Sequence, residues 1–141
     1  MSENPLDANS DDHVRLSIED AETLGEQALE SLGFTPEEAR IIATHLIDAA
    51  MCGYAFAGLP RILVIADRPE IKQPRTPITI VKETPVSALL DGGNHVGYVA
   101  IARAAEVGIE KASEMGVALI GMQNCWYGGR ATHYLEKIGR A

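Results

Sequence analysis

At 141 residues the chain has the length of one ordinary domain, and its 46% hydrophobic and 23% charged residues fit a soluble globular protein with a real core. A formal net charge of −8 argues against nucleic acid as a partner, because phosphate binding needs a basic face. No apolar run reaches membrane-spanning length and the acidic N-terminus lacks the apolar centre of a signal peptide; Cys52 and Cys125 fit no metal or redox spacing, so reduced thiols in a cytoplasmic protein are the simplest reading.

Residues 1–13 are polar and acidic and read as a disordered tail. Val14-Arg15-Leu16 is a short β-like run. Ser17, with Asp20 three residues on, predicts a helix start. Ala21, Leu24, Ala28 and Leu32 give that helix one apolar face, and Gly33 ends it. Thr35, Pro36 and Glu38 form a capping box for a second helix, whose apolar face runs through Ala39, Ile42, Leu46 and Ala49. The two make a helical hairpin. A third helix is predicted from Leu59 to Ala66, and a polar connection covers 67–75. From Arg61 to Arg75 the chain is locally basic, which suits either a solvated face or a small anionic substrate.

Ile78 to Val81 and Val86 to Leu90 read as strands of a hairpin broken at Thr84-Pro85. Asp91-Gly92-Gly93-Asn94-His95-Val96-Gly97 reads as a glycine-rich turn in which Asn94 caps the next helix, to about Met115. The turn has neither G-x-G-x-x-G nor P-loop spacing. Gly116 leads into a buried strand, Val117 to Met122. The last segment, from Ala131, opens a helix. The resulting class is α/β: an N-terminal helical hairpin over 14–75, then a mixed sheet with flanking helices over 76–141. About three strands are fewer than the ~5–6 of a typical sheet, so the chain reads as the front portion of a larger fold.

Between the last strand and the last helix stands Asn124-Cys125-Trp126-Tyr127-Gly128-Gly129-Arg130. A strand end followed by a glycine-rich turn and a helix is where α/β proteins place ligands, since helix N-terminal amides point outward there. Gly128 and Gly129 permit close backbone approach, Arg130 adds charge and Tyr127 offers a proton. Trp126 suits either stacking on a ligand or core packing. His13, His45 and His133 have no second ligand at metal spacing, so no metal is expected. No Ser or Cys has an adjacent base, which leaves nucleophilic catalysis unsupported.

From about Ser17 onward the order of these features resembles the malate/L-lactate dehydrogenase family of NAD(P)-dependent 2-hydroxyacid and imine-reducing enzymes, a non-Rossmann group. The resemblance is carried by the helical hairpin, by Gly53-Tyr-Ala-Phe-Ala-Gly58-Leu-Pro-Arg61, by Leu89-Leu-Asp-Gly-Gly-Asn-His-Val-Gly97, and by Val117 to Tyr134. Where the family commonly has S-H-G-x-x-R, this chain has Phe56-Ala57-Gly58-Leu59-Pro60-Arg61; the His is Ala57, and the Arg, associated with the substrate carboxylate, is kept as Arg61. A second signature, N-S-x-H-F-G, aligns with Asn124 to Gly129, and its His is Tyr127.

The resemblance implies an N-terminal part of an oxidoreductase that moves a hydride between NAD or NADP and a small 2-hydroxy or 2-oxo (or imino) acid, inactive as this portion alone and a homodimer when full length. Arg61 would bind substrate, Tyr127 would be the catalytic acid/base, and Asn124, Trp126, Gly128 and Gly129 would bind cofactor. Two alternatives stay open: a non-catalytic small-anion-binding module on the same scaffold, and an oligomerisation module in which the helical hairpin serves dimer packing.

Overall fold

A computed structural model describes residues 14–141; the tail expected at 1–13 lies outside the described residues. The chain orders as α1 (Ile18–Ser31), α2 (Pro36–Met51), α3 (Arg61–Ala66), β1 (Thr79–Thr84), β2 (Ser87–Val96), α4 (Gly97–Met115), β3 (Leu119–Trp126) and α5 (Ala131–Gly139). Short 3-10 turns at Ala55–Ala57 and Pro69–Lys72 flank α3. This is the expected mixed α/β arrangement.

Local chemistry sets the helical hairpin. The Ser17 hydroxyl accepts the Asp20 N–H at the head of α1. At the head of α2 the Thr35 hydroxyl accepts the Glu38 N–H, while the Glu38 carboxylate accepts the Thr35 N–H at 2.8 Å. Arg75 ties the polar connector back to the hairpin. Its guanidinium donates to the Gly33 carbonyl, lies 3.6 Å from Glu38 Oε2 and stacks on the Phe34 ring. Leu29, Ile42, Leu46 and Ile65 join Val96, Tyr98 and Val99 in one core, so the helices and the β2–α4 junction share a single apolar interior.

Several boundaries differ from the sequence reading. Val14 to Leu16 forms no strand and lies exposed, having no partner strand to pair with. The third helix starts at Arg61 rather than Leu59, after the 3-10 turn at Ala55–Ala57. Asp91 to Val96 is not a free turn: β2 continues through it with an irregularity between Asp91 and His95. Asn94 does not cap α4. It adopts a left-handed conformation (φ 62°) and donates instead to the Glu70 carbonyl, while Val96 takes the N-cap position with no side-chain bond. Asp91 turns the backbone by accepting the Gly93 N–H.

The sheet has the order β1-β2-β3, with β1 antiparallel and β3 parallel to β2. The expected buried strand at Val117 to Met122 is instead an exposed edge. It begins at Leu119, runs on to Trp126, and leaves Val117 and Leu119 mostly accessible. Apolar sequence alone did not distinguish an uncovered edge from a buried centre.

This distribution makes stability uneven. Leu46→Ala, at a fully buried position, is expected to cost about 2–5 kcal/mol, and Leu119→Ala less than about 0.5 kcal/mol, as read by urea unfolding.

Candidate active site

The β3–α5 turn is fastened to α2 by a polar cluster. His45 is buried in the middle of α2, and its Nε2 accepts the Arg130 backbone N–H at 2.8 Å. An accepting Nε2 places the neutral ring's proton on Nδ1. One turn further along α2, Asp48 pairs with the Arg130 guanidinium and lies 2.8 Å from His133 Nδ1. The His45 ring packs against Tyr98, His133 and Tyr134 at centroid distances of 4.8, 4.4 and 5.1 Å.

Burial pushes the His45 imidazole down to about 4; the His133 and Arg130 charges act the same way, and Asp48 acts against them. Burial works against ionising Asp48, but hydrogen bonds from Arg130 and His133 outweigh it and hold the carboxyl below its ordinary range. Burial pushes the Tyr98 phenol up to about 12, so it stays a proton donor near neutral pH.

The fastening explains the glycines. A Cβ on Gly129 would lie 2.3 Å from both His45 Nε2 and Tyr98 Cε1, and one on Gly97 would lie 2.9 Å from the Gly128 Cα. The close approach is therefore made by the protein's own residues. At the other glycine-rich segment, a Cβ on Gly93 would meet the Thr76 carbonyl at 2.1 Å. The space beside Gly93, Gly97 and Gly129 is thus taken by the protein itself, whereas a Cβ on Gly128 would meet only Ile101 Cδ1, at 3.3 Å.

Tyr127 lies at the bend of the turn with φ 49°, a left-handed conformation that costs a bulky residue about 1 kcal/mol or more. It borders a cleft of about 390 Å³ together with Tyr54, Phe56, Arg61, Tyr98 and Arg130. The Arg61 guanidinium carbon is 5.6 Å from the centroid of the Tyr127 ring and 5.3 Å from that of Phe56. Arg61 and Tyr127, 66 positions apart in the sequence, thus share one cleft with Gly128 and Gly129.

Asn124 and Trp126 lie elsewhere. They border a polar groove with Asp91, Asn94 and Thr76, where Asn124 donates to the Asp91 carboxylate and the Trp126 indole N–H donates to the Asn94 carbonyl at 3.0 Å. Tyr98 and the His45–Asp48 pair were missed from sequence. His45 and Asp48 do sit three residues apart on one helix face, but their partners come from a turn more than 80 residues away.

Of the basic residues between 61 and 75, Arg68 pairs with Glu70 and Arg75 with Glu38. Arg61 has no carboxylate within ion-pair distance among the described residues and faces the cleft. The cleft thus sets an arginine without a carboxylate partner among the described residues beside a phenol. No group of three or more potential metal ligands clusters among the described residues, and no described helix is long and apolar enough to cross a membrane.

Comparison with known proteins places this architecture. The malate/L-lactate dehydrogenase family model matches residues 16–141, and the chain belongs to that family. It is 33% identical over 110 residues to L-sulfolactate dehydrogenase of Methanocaldococcus jannaschii, covering 77% of this chain and 32% of that protein. Hydroxycarboxylate dehydrogenase B of Escherichia coli O157:H7 is 32% identical over 127 residues, 86% of this chain and 35% of that protein. Among solved structures, malate dehydrogenase from Pyrococcus horikoshii OT3 superposes with a TM-score of 0.83 at 25% identity, covering 91% of this chain and 37% of that one. The chain thus spans about a third of the length of the relatives it matches.

The fastening carries a pH signature. A buried His with a lowered folded-state value gives a contribution fully present above its unfolded value of 6.5 and lost as pH falls towards about 4, roughly 3 kcal/mol in all. Asp48 acts in the same direction at lower pH, because its folded-state value is also depressed. Chemical-denaturation stability is expected to decline from pH 6.5 to 4, and His45→Gln to flatten that decline.

Proposed function

We propose that this chain carries the substrate-holding part of a dehydrogenase that interconverts a 2-hydroxy acid and its 2-oxo (or imino) counterpart, with NAD or NADP as the hydride partner. One observation supports the reading above all: Arg61, without an ion-pair partner among the described residues, and Tyr127 on its strained turn face the same cleft. A guanidinium offers a carboxylate two parallel hydrogen bonds, which fixes the position of the adjoining C2. In the reducing direction the Tyr127 hydroxyl gives its proton to the substrate's 2-oxygen; in the oxidising direction the phenolate takes it back. The nicotinamide nucleotide supplies hydride exchange when bound. A relative from Chromohalobacter salexigens is described as an NADP(+)-dependent sulfolactate dehydrogenase, in keeping with this cofactor class.

The observations also accommodate an anion-binding module that keeps Arg61 and performs no chemistry. The two readings separate in a steady-state assay of NAD(P)H oxidation with 2-oxo acids on the whole protein. If the dehydrogenase reading holds, Arg61→Gln raises KM about 10–100-fold, and Tyr127→Phe lowers kcat about 10²–10⁴-fold with KM little changed. An unchanged rate for Tyr127→Phe removes that residue from the chemistry. Absence of both turnover and nucleotide binding leaves the binding module.

A further inference from the structure

The chain has two Phe, four Tyr and one Trp, and four of these seven aromatic side chains, Tyr54, Phe56, Tyr98 and Tyr127, border the Arg61 cleft. Phe56 is 69% and Tyr54 48% exposed, and their rings meet edge to face at 6.3 Å, so the cleft mouth presents accessible aromatic surface beside the cation. Tyr98 is 98% buried, yet its hydroxyl makes no hydrogen bond among the described residues while the residue borders the cleft.

Among the described residues two arginines border the cleft, Arg61 and Arg130. The Arg130 guanidinium is held by Asp48 and lies 3.5 Å from Glu136 Oε1. Arg61 is therefore the one cation bordering the cleft that has no carboxylate partner among the described residues. A substrate with a second acid group would place that anion against aromatic rings and an already neutralised arginine, where desolvation is uncompensated. A flat apolar side chain would instead cover the Tyr54 and Phe56 rings.

From this we propose that the cleft selects a 2-oxo or 2-hydroxy monocarboxylate with a flat, apolar side chain over a dicarboxylate or a sulfonated acid. The Arg61 guanidinium takes the carboxylate and the Tyr98 hydroxyl donates to a substrate oxygen. This deepens the dehydrogenase reading and rests on it for the substrate's 2-oxo or 2-hydroxy group, but selection between side chains is measured by binding alone.

Isothermal titration of the chain with phenylpyruvate and with oxaloacetate, at one pH and ionic strength, tests it. Phenylpyruvate is expected to bind at least about tenfold more tightly, with Arg61→Gln removing binding and Tyr98→Phe weakening it while the Phe56 contact remains. Asp48→Asn removes one of the two carboxylates beside Arg130 and is expected to narrow the gap by improving oxaloacetate binding; the wild-type comparison stands even if that variant does not fold. Equal affinities, a preference for oxaloacetate, or no binding of either acid overturns the proposal. The expected preference without any NAD(P)H-linked turnover by the whole protein would contradict the dehydrogenase reading and leave the selectivity standing. Turnover that favours oxaloacetate would do the reverse.

Discussion

The hydrogen bond from the Arg130 amide to His45 Nε2 is the constraint on which the site depends. It requires a neutral imidazole with an open Nε2, which burial secures by pushing the ring's proton affinity down. It also requires a residue without a side chain at position 129, because His45 and Tyr98 occupy the volume where a Cβ would stand. With Asp48 gripping the Arg130 guanidinium from the same helix, the head of α5 cannot leave α2 without stranding several polar groups. Tyr127, two residues before Gly129, is thereby held in a conformation its side chain disfavours.

Ion pairs sort the charges around the site. Asp48 neutralises Arg130, Glu70 neutralises Arg68 and Glu38 takes Arg75, so among the described residues Arg61 is left facing the cleft without a carboxylate of its own. An arginine flanked by two aromatic rings is oriented without being neutralised, which suits it to an incoming anion. Membership in the malate/L-lactate dehydrogenase family gives this geometry a chemical context.

Much of the fold was legible because its signals are local. The capping box at Thr35–Glu38, Gly116 at the end of α4 and the helical spacing of Ile42 and Leu46 each act within a few residues. The errors arose where long-range contacts decide. Asn94 has the side chain of a helix cap, but the carbonyl of Glu70, 24 residues earlier, claims it. The Val117 strand is apolar enough to be central but stands at an edge. At the site, Arg61 and Tyr127 were identifiable from motif resemblance, and the fold brings them together. Tyr98 and His45 carried no comparable signal, since their roles depend on a turn that only tertiary packing delivers to them.

That Arg61 and Tyr127 face one substrate-binding cleft is most directly tested by NMR of the chain during titration with a 2-oxo monocarboxylate, following the Arg61 Nε–Hε resonance and the Tyr127 ring signals. Both are expected to shift along one saturable isotherm, while the Arg75 resonance, held by Glu38 and Gly33, stays in place. Shifts at Arg75 or at the Asp91 groove with Arg61 and Tyr127 unmoved would contradict it.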